Sequence, residues 1–313
     1  MKLVFLDTKT MGNIPNLKAI ERFGEVSYYE TTRPEQTQER VKEADIIITN
    51  KVVVNASIIE KVPSLKLICV AATGTNNVDK AAAQKRGIPV KNVMDYSTHS
   101  VAQGTFALLL HLLNQVSYFD QYVKGGEYSK TDIFTHFGRY FCEINGKRFG
   151  ILGLGNIGRQ VAKIAEAFGA EVVYYSASGK NTNQPYLRLE LEEFLKTCDI
   201  ISIHAPLNEY TANLINDDRL RMMKKSAILL NAGRGGIVNE ADLAKALDEN
   251  LIAGAGIDVY EKEPVPVNNP LLQVKQKEKL ALTPHVTWAS IEARTLLMEK
   301  VVENIQEFLE KGK

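Results

Sequence analysis

Gly150-Ile151-Leu152-Gly153-Leu154-Gly155-Asn156-Ile157-Gly158-Arg159 carries three glycines, Gly153, Gly155 and Gly158, in a G-x-G-x-x-G spacing. The spacing alone is common, so its flanks decide its meaning. An apolar, strand-like run at residues 149–152 leads into it and a helical run at residues 161–168 leads out. In a strand–turn–helix, the first glycine permits the tight turn. The second lets the backbone approach a pyrophosphate, and the third lets helix and strand pack closely. The helix amino terminus then offers unpaired N–H groups and a positive dipole end to the phosphates. The stretch predicts a doubly wound sheet that binds a dinucleotide; the plainer alternative is a glycine-rich turn without a ligand.

Working outward, strand-like runs follow at residues 171–175, 199–203, 227–231, 254–258 and 280–283, with helical segments between them. Together with residues 149–152 these make six strands, enough for a complete dinucleotide-binding sheet. Toward the amino terminus, runs at residues 3–7, 25–29, 45–49, 67–71 and 89–92 keep the same βαβ rhythm. The expected fold class is α/β, with two Rossmann-like parallel-sheet domains and an active-site cleft between them. Residues 97 to 122 read as one helix, capped by Ser97, Thr98 or Ser100. Its apolar positions surround most of the cylinder, which predicts a buried helix at a subunit or domain contact. A polar segment to residue 147 follows, with Phe134, Phe137, Tyr140 and Phe141. The amphipathic run at residues 291–311 can return to the first domain. The division is therefore a discontinuous substrate-binding domain, 1–98 and 287–313, and a dinucleotide-binding domain, 99–286.

An NAD site normally has an acid at the end of its second strand, about 20 residues beyond the glycines. Here Val172-Val173-Tyr174-Tyr175-Ser176-Ala177-Ser178-Gly179-Lys180 puts Ser176 at that position. No carboxylate stands there to repel a 2′-phosphate. Ser176 and Ser178 can donate to one, and Lys180 can neutralise it. Ser176 can equally hydrogen-bond the ribose hydroxyl of NAD. The expected cofactor is NAD or NADP.

A chain of 313 residues, 45% hydrophobic and 24% charged, is long enough for two domains with proper cores. A net charge of +1 gives no reason to expect nucleic acid or a membrane surface as partner. Residues 1–10 begin directly in a strand-like run, unlike a leader peptide, and the apolar stretch 106–113 is too short to span a bilayer. A cytoplasmic protein is the expectation. Cys69, Cys142 and Cys198 form no CxxC pair, which predicts reduced cysteines buried as small apolar side chains. The histidines show no HExxH or similar spacing, so no metal is expected.

Three polar residues fall just after strands, where ligands of open α/β sheets bind. Arg234 follows Ile228-Leu229-Leu230-Asn231-Ala232-Gly233, Glu263 lies in Asp258-Val259-Tyr260-Glu261-Lys262-Glu263-Pro264, and His285 ends Thr283-Pro284-His285. Singly, each reads as an ordinary polar residue facing water. After three successive strands, they make a set suited to hydride transfer at a 2-hydroxy acid. Arginine holds a carboxylate with a planar fork and never loses its charge. Histidine exchanges a proton near neutral pH. A neighbouring carboxylate orients the ring and stabilises its charged form.

Across nearly its whole length the chain resembles the D-isomer-specific 2-hydroxyacid dehydrogenases. The resemblance rests on Gly153-Leu154-Gly155-Asn156-Ile157-Gly158, His204-Ala205-Pro206-Leu207, Asn231-Ala232-Gly233-Arg234-Gly235-Gly236, the segment from Asp258-Val259 to Glu263-Pro264, and Pro284-His285. It implies Arg234 as the substrate-binding catalytic cation, His285 as acid/base and Glu263 as its partner. It also implies cofactor contacts at Asn156, Ile157, Ser176, Ala205, Pro206, Ala232, Arg234, Asp258, His285 and Trp288, with Asp258 facing the nicotinamide amide. A second match, Ala71-Ala72-Thr73-Gly74-Thr75-Asn76-Asn77-Val78-Asp79, is similar to the family's substrate loop. Backbone N–H groups near Thr73 and Gly74 would bind the substrate carboxylate; a plain Gly/Asn turn is the alternative. Tyr96-Ser97-Thr98-His99-Ser100-Val101-Ala102 resembles the hinge helix, with Val101 near the nicotinamide, and Gln103 departs from the glutamate of many relatives.

The Thr73–Gly74 loop and Trp288 look most like the glycerate dehydrogenase/hydroxypyruvate reductase branch. That implies a small 2-oxo acid as substrate, reversible reduction of hydroxypyruvate to D-glycerate, and a homodimer formed through residues 97–147. D-lactate or glyoxylate chemistry is the nearest enzymatic alternative. A cofactor-sensing interaction protein, like the C-terminal-binding-protein corepressors that resemble the same family, is the alternative of another class. His204 is expected to support the cofactor wall, and His99 and His111 to be structural.

Overall fold

The computed structural model describes residues 1–182 and 184–311, the last of these by its backbone alone. The described residues fall into two units, Met1–Ser97 with the segment from Ala289 onward, and Thr98–Trp288. Sequence reading puts these divisions after residues 98 and 286.

The first unit is built on β1 (Lys2–Phe5), β2 (Glu25–Tyr28), β3 (Ile46–Thr49), β4 (Leu67–Val70) and β5 (Val90–Asn92). These strands pair in parallel in the order β2-β1-β3-β4-β5. A parallel sheet is covered on both faces, so its inner strands read as unbroken apolar runs. Accordingly β3 and β4 are buried at every position, while the edge strand β2 alternates between exposed and half-buried. Helices α1 (Pro34–Val41), α2 (Ala56–Glu60) and α3 (Lys80–Lys85) connect them. Asn55 and Asp79 cap α2 and α3 by accepting from Ile58 N and Ala82 N. The chain's last helix, Ile291–Lys311, packs on β4 and β5, and Asn304 Nδ2 donates to Asn92 O at 3.0 Å. Just past β1, the buried Asp7 carboxylate accepts from the backbone N–H groups of Asn50, Lys51 and Val52 and so fixes the turn after β3. Burial nonetheless pushes its pKa above the usual carboxylate range.

The second unit opens with α4 (Thr98–Asn114) and α5 (Val116–Lys124). Its strands are β6 (Arg148–Leu152), β7 (Glu171–Tyr175), β8 (Leu187–Arg188), β9 (Ile200–Ile203), β10 (Ile228–Asn231), β11 (Gly254–Ile257) and β12 (Leu280–Leu282). Among the described residues they make one parallel sheet of seven strands, in the order β12-β11-β10-β9-β6-β7-β8. Helix α6 (Asn156–Ala167) lies with α4 on one face, where Phe106, Leu109 and Leu112 share a core with Phe149, Ile151 and Tyr174. Helices α7 (Leu191–Thr197), α8 (Asp217–Met222) and α9 (Glu240–Asp248) cover the other, where Phe194, Leu220 and Leu243 join Ile201, Leu229 and Ile257. Strand β6 has β7 on one side and β9 on the other, so successive connections leave in opposite directions. That reversal is the switch point at which such sheets bind ligands.

Four sequence expectations need correction. The sheet has a seventh strand, β8, whose two residues are too few to show any periodicity. The helix expected at residues 97–122 is broken at Gln115, which takes the left-handed conformation (φ +51°) between α4 and α5. Helix α4 is not buried all round: His99, Gln103, Ala107 and His111, four residues apart, form an exposed stripe. Cys142 is exposed, whereas Cys69 and Cys198 are buried, and all three are free. No helix among the described residues is long and apolar enough to cross a membrane.

Candidate active site

The glycines after β6 divide into two kinds. Gly153 has φ +93°, and a Cβ there would stand 2.8 Å from Ala205 N. At Gly158 it would stand 2.3 Å from Gly153 O. Both are needed for backbone to meet backbone. At Gly155, the residue that precedes α6, a Cβ would meet nothing within 4 Å. The open space therefore lies in front of the helix amino terminus, where the phosphates of a dinucleotide would approach. Asn156 and Ile157 form the first turn of α6, and Arg159 braces it by donating to Leu154 O at 3.2 Å and to Asn156 Oδ1. Across the switch point, Ala205 is buried behind Gly153, and the carbonyl of the exposed Pro206 accepts from Thr211 Oγ1 at 2.6 Å. This cradle fits the expected dinucleotide.

Ser176 is buried at the end of β7, and its carbonyl accepts from Gly179 N at 3.0 Å. Ser178 and Lys180 are exposed on the same loop, which contains no carboxylate from residue 176 to 180. The loop is pinned back toward the glycine turn: Asn181 Nδ2 donates to Leu154 O, and Tyr174 Oη donates to Asn181 O, each at 3.0 Å.

Turns after β10, β11 and β12 carry the expected catalytic set. Since these strands are parallel neighbours, their turns emerge at the same edge of the sheet. Asn231 shapes the first turn, accepting from Gly233 N at 3.1 Å and donating to Arg234 O at 3.0 Å. Gly235 lies so close to Tyr260 that a Cβ would stand 1.8 Å from its carbonyl oxygen. Ala232 is buried, while Arg234 is exposed and donates through Nη1 to Gly233 O at 2.8 Å.

His285 has φ +51°, an unusual conformation for a residue with a Cβ. Its N–H lies 2.8 Å from Asp258 O and 3.0 Å from Thr283 O. Its Nδ1 meets Glu263 Oε2 at 2.7 Å, and Glu263 Oε1 accepts from Tyr260 N at 3.1 Å. A carboxylate can only accept, so the shared proton belongs to Nδ1. The resemblance puts Asp258 against the nicotinamide amide. In the structure its fully buried carboxylate is engaged by the turn itself. Oδ1 accepts from Thr283 Oγ1 at 2.6 Å and Val286 N at 2.9 Å, and Oδ2 accepts from Thr287 Oγ1 at 2.6 Å. From α4, Ser100 Oγ donates to Thr287 O at 2.6 Å, and a Cβ on Gly104 would stand 2.6 Å from Thr287 Cγ2.

Sequence reading missed these bracing residues. Thr283, Thr287 and Ser100 hold the His285 turn; Glu240 holds the Glu263 segment, its Oε1 accepting from Glu261 N at 2.7 Å and its Oε2 from Asn269 Nδ2 at 2.6 Å. The signal available was the pair of threonines around Pro284-His285, opposite an acid at a strand end. Of the other candidates, Val101 is buried in the first turn of α4, and Trp288 closes the second unit. Thr73 and Gly74 belong to the first unit, after β4, where Thr73 Oγ1 donates to Val93 O at 3.1 Å. His204 bonds Ser202 Oγ through Nε2 at 2.8 Å, and burial lowers its pKa to about 3.

Residues 106–287 match a family model described as the D-isomer specific 2-hydroxyacid dehydrogenase, NAD binding domain. The chain is similar to the hydroxypyruvate reductase of Blautia hydrogenotrophica, with 37% identity over 99% of this chain and 97% of that one. It is similar to the glycerate dehydrogenase of Methylorubrum extorquens, with 37% identity over 98% of this chain and 96% of that one. Among solved structures, the TT0316 protein of Thermus thermophilus matches with a TM-score of 0.89 at 32% identity, over 99% of this chain and 97% of that one.

Proposed function

We infer the reaction from one premise: the chain belongs to the D-isomer specific 2-hydroxyacid dehydrogenase family. It is an NAD(P)-dependent oxidoreductase acting on the CH–OH group of 2-hydroxy acids. The substrate we propose is hydroxypyruvate, reduced reversibly to D-glycerate. Supporting this choice, relatives bearing those two activities as names match over nearly the whole chain.

The observation that carries the chemistry is the 2.7 Å contact between His285 Nδ1 and Glu263 Oε2. It fixes the ring's tautomer and orientation and leaves Nε2 for the reacting oxygen. His285 gives a proton to the carbonyl oxygen during reduction and takes it back in the reverse direction. Arg234 pairs with the carboxylate and polarises the carbonyl. When bound, the nicotinamide would supply the hydride that C2 receives. Thr73 and Gly74 are assigned to the substrate carboxylate through backbone N–H groups. For the dinucleotide, Gly153, Gly155, Asn156, Ile157 and Gly158 serve the pyrophosphate. Ser176, Ser178 and Lys180 serve the adenosine ribose, and Val101, Ala205, Pro206, Ala232 and Trp288 serve the nicotinamide half. Asp258 acts by holding the His285 turn.

Turnover of a panel of 2-oxo acids, followed by NADH and NADPH absorbance, tests this reading. Hydroxypyruvate should give the highest kcat/KM. Best turnover of glyoxylate or pyruvate reassigns the substrate, and no turnover of any acid favours a cofactor-sensing binding protein. His285→Ala should lower kcat by at least ~100-fold, the low end for a lost general acid/base. Near-normal turnover would remove His285 from that role.

We also propose a cytoplasmic homodimer joined through residues 97–147. Exposed Phe134, Phe137, Tyr140 and Phe141 support the interface, and three unpaired cysteines accord with a reducing compartment.

A further inference from the structure

The adenosine end of the dinucleotide site is bordered by a cation that lies outside both the glycine motif and the loop after β7. Arg188 comes from β8, where it sits beside Tyr174 of β7. Its Nη2 is 3.9 Å from the point where a Cβ on Gly179 would stand. The guanidinium therefore borders the loop that begins at Ser176. Gly179 has φ +68° and no side chain, so nothing projects from it over the guanidinium.

The protein answers this charge poorly. The ion pair to Glu190 Oε1 is 3.5 Å long, and the Glu190 side chain is 82% exposed. Such a pair is weak and screened by salt. Arg188 Nε is buried without a hydrogen-bond partner. A buried N–H of a permanently charged group is costly to leave unpaired, and such an orphan calls for an explanation. The loop that it borders carries the buried Ser176, the exposed Ser178 and Lys180, and no carboxylate from residue 176 to 180.

We propose that Arg188 determines cofactor specificity: its guanidinium, with Lys180 and Ser178, binds the 2′-phosphate of NADP. This rests on the reading of the second unit as the dinucleotide domain. A planar guanidinium pairs two phosphate oxygens at once, while the 2′-hydroxyl of NAD offers it a neutral acceptor. The preference is thus electrostatic and comes from the strand next to the one that leads into Ser176.

Calorimetric titration of the full chain with 2′,5′-ADP and with 5′-AMP tests the proposal without turnover. The wild type should bind 2′,5′-ADP about tenfold or more tighter than 5′-AMP, as one charge-assisted contact to phosphate allows. Added salt should shrink that preference. Arg188→Ala should remove most of it, and Arg188→Gln, which keeps the side-chain stem if R188A fails to fold, should do the same. Undiminished preference in the folded variants overturns the proposal, as does a wild type without preference. A wild type that binds neither nucleotide overturns the dinucleotide reading beneath it.

Discussion

Two histidines at strand ends of the same sheet are held in opposite ways. His285 shares a proton with Glu263. His204 keeps some exposure as a residue, but its Nδ1 is sealed from solvent without a partner, and burial holds its pKa near 3. Below about pH 6.5 the unfolded chain takes a proton at His204 that the folded chain refuses. Stability present above that pH is lost as pH falls toward 3, by at most about 2 kcal/mol between pH 6.5 and 5. His204→Asn should flatten the decline of the urea midpoint between about pH 7.5 and 5. An unchanged decline would mean the ring takes up its proton without penalty. At this scale, Arg234, Glu263 and His285 were legible because each follows an apolar run. Ser100, Thr287 and Arg188 were not. Their roles come from partners remote in sequence, as the 187 residues between Ser100 and Thr287 illustrate, or from a neighbouring strand.

The glycine turn makes a sharper distinction than its motif does. A Cβ at Gly158 collides with backbone, whereas one at Gly155 enters open space. Gly158→Ala should therefore cost about 1–3 kcal/mol of folding stability, as overpacking does. Gly155→Ala should stay within about 1 kcal/mol in urea unfolding yet weaken NADH binding about tenfold or more, read by fluorescence titration. Equal effects of the two on stability would contradict the division. Eleven of the twelve strands in the two sheets are at least three residues long and coincide with strand-like runs; β8, with two residues, is too short to show one. The break at Gln115 was hidden for another reason: glutamine carries no turn signature, and its left-handed backbone is compensated by its Nε2 donating to Leu112 O at 2.7 Å.

At the scale of the whole molecule, two parallel α/β sheets were legible because buried strands betray themselves as apolar runs. The aromatic segment beyond α5 was legible only as composition. Phe134 and Tyr140 are 91% and 86% exposed, which suits the proposed dimer. Sedimentation should show a dimer, and Phe134→Ser with Tyr140→Ser should weaken it about tenfold or more. A monomeric wild type would overturn that assembly. The Asp258 carboxylate has its own reach across the molecule. Val286 and Thr287 lie outside any helix or strand, and amide protons of such loops ordinarily exchange fast with deuterium. Here both N–H groups donate to a buried carboxylate. They should exchange as slowly as those of β10 and β11, and faster after Asp258→Asn; rapid exchange in the wild type would contradict this. With such slow exchange the loop would open only with its domain, and heat inactivation should then coincide with global unfolding.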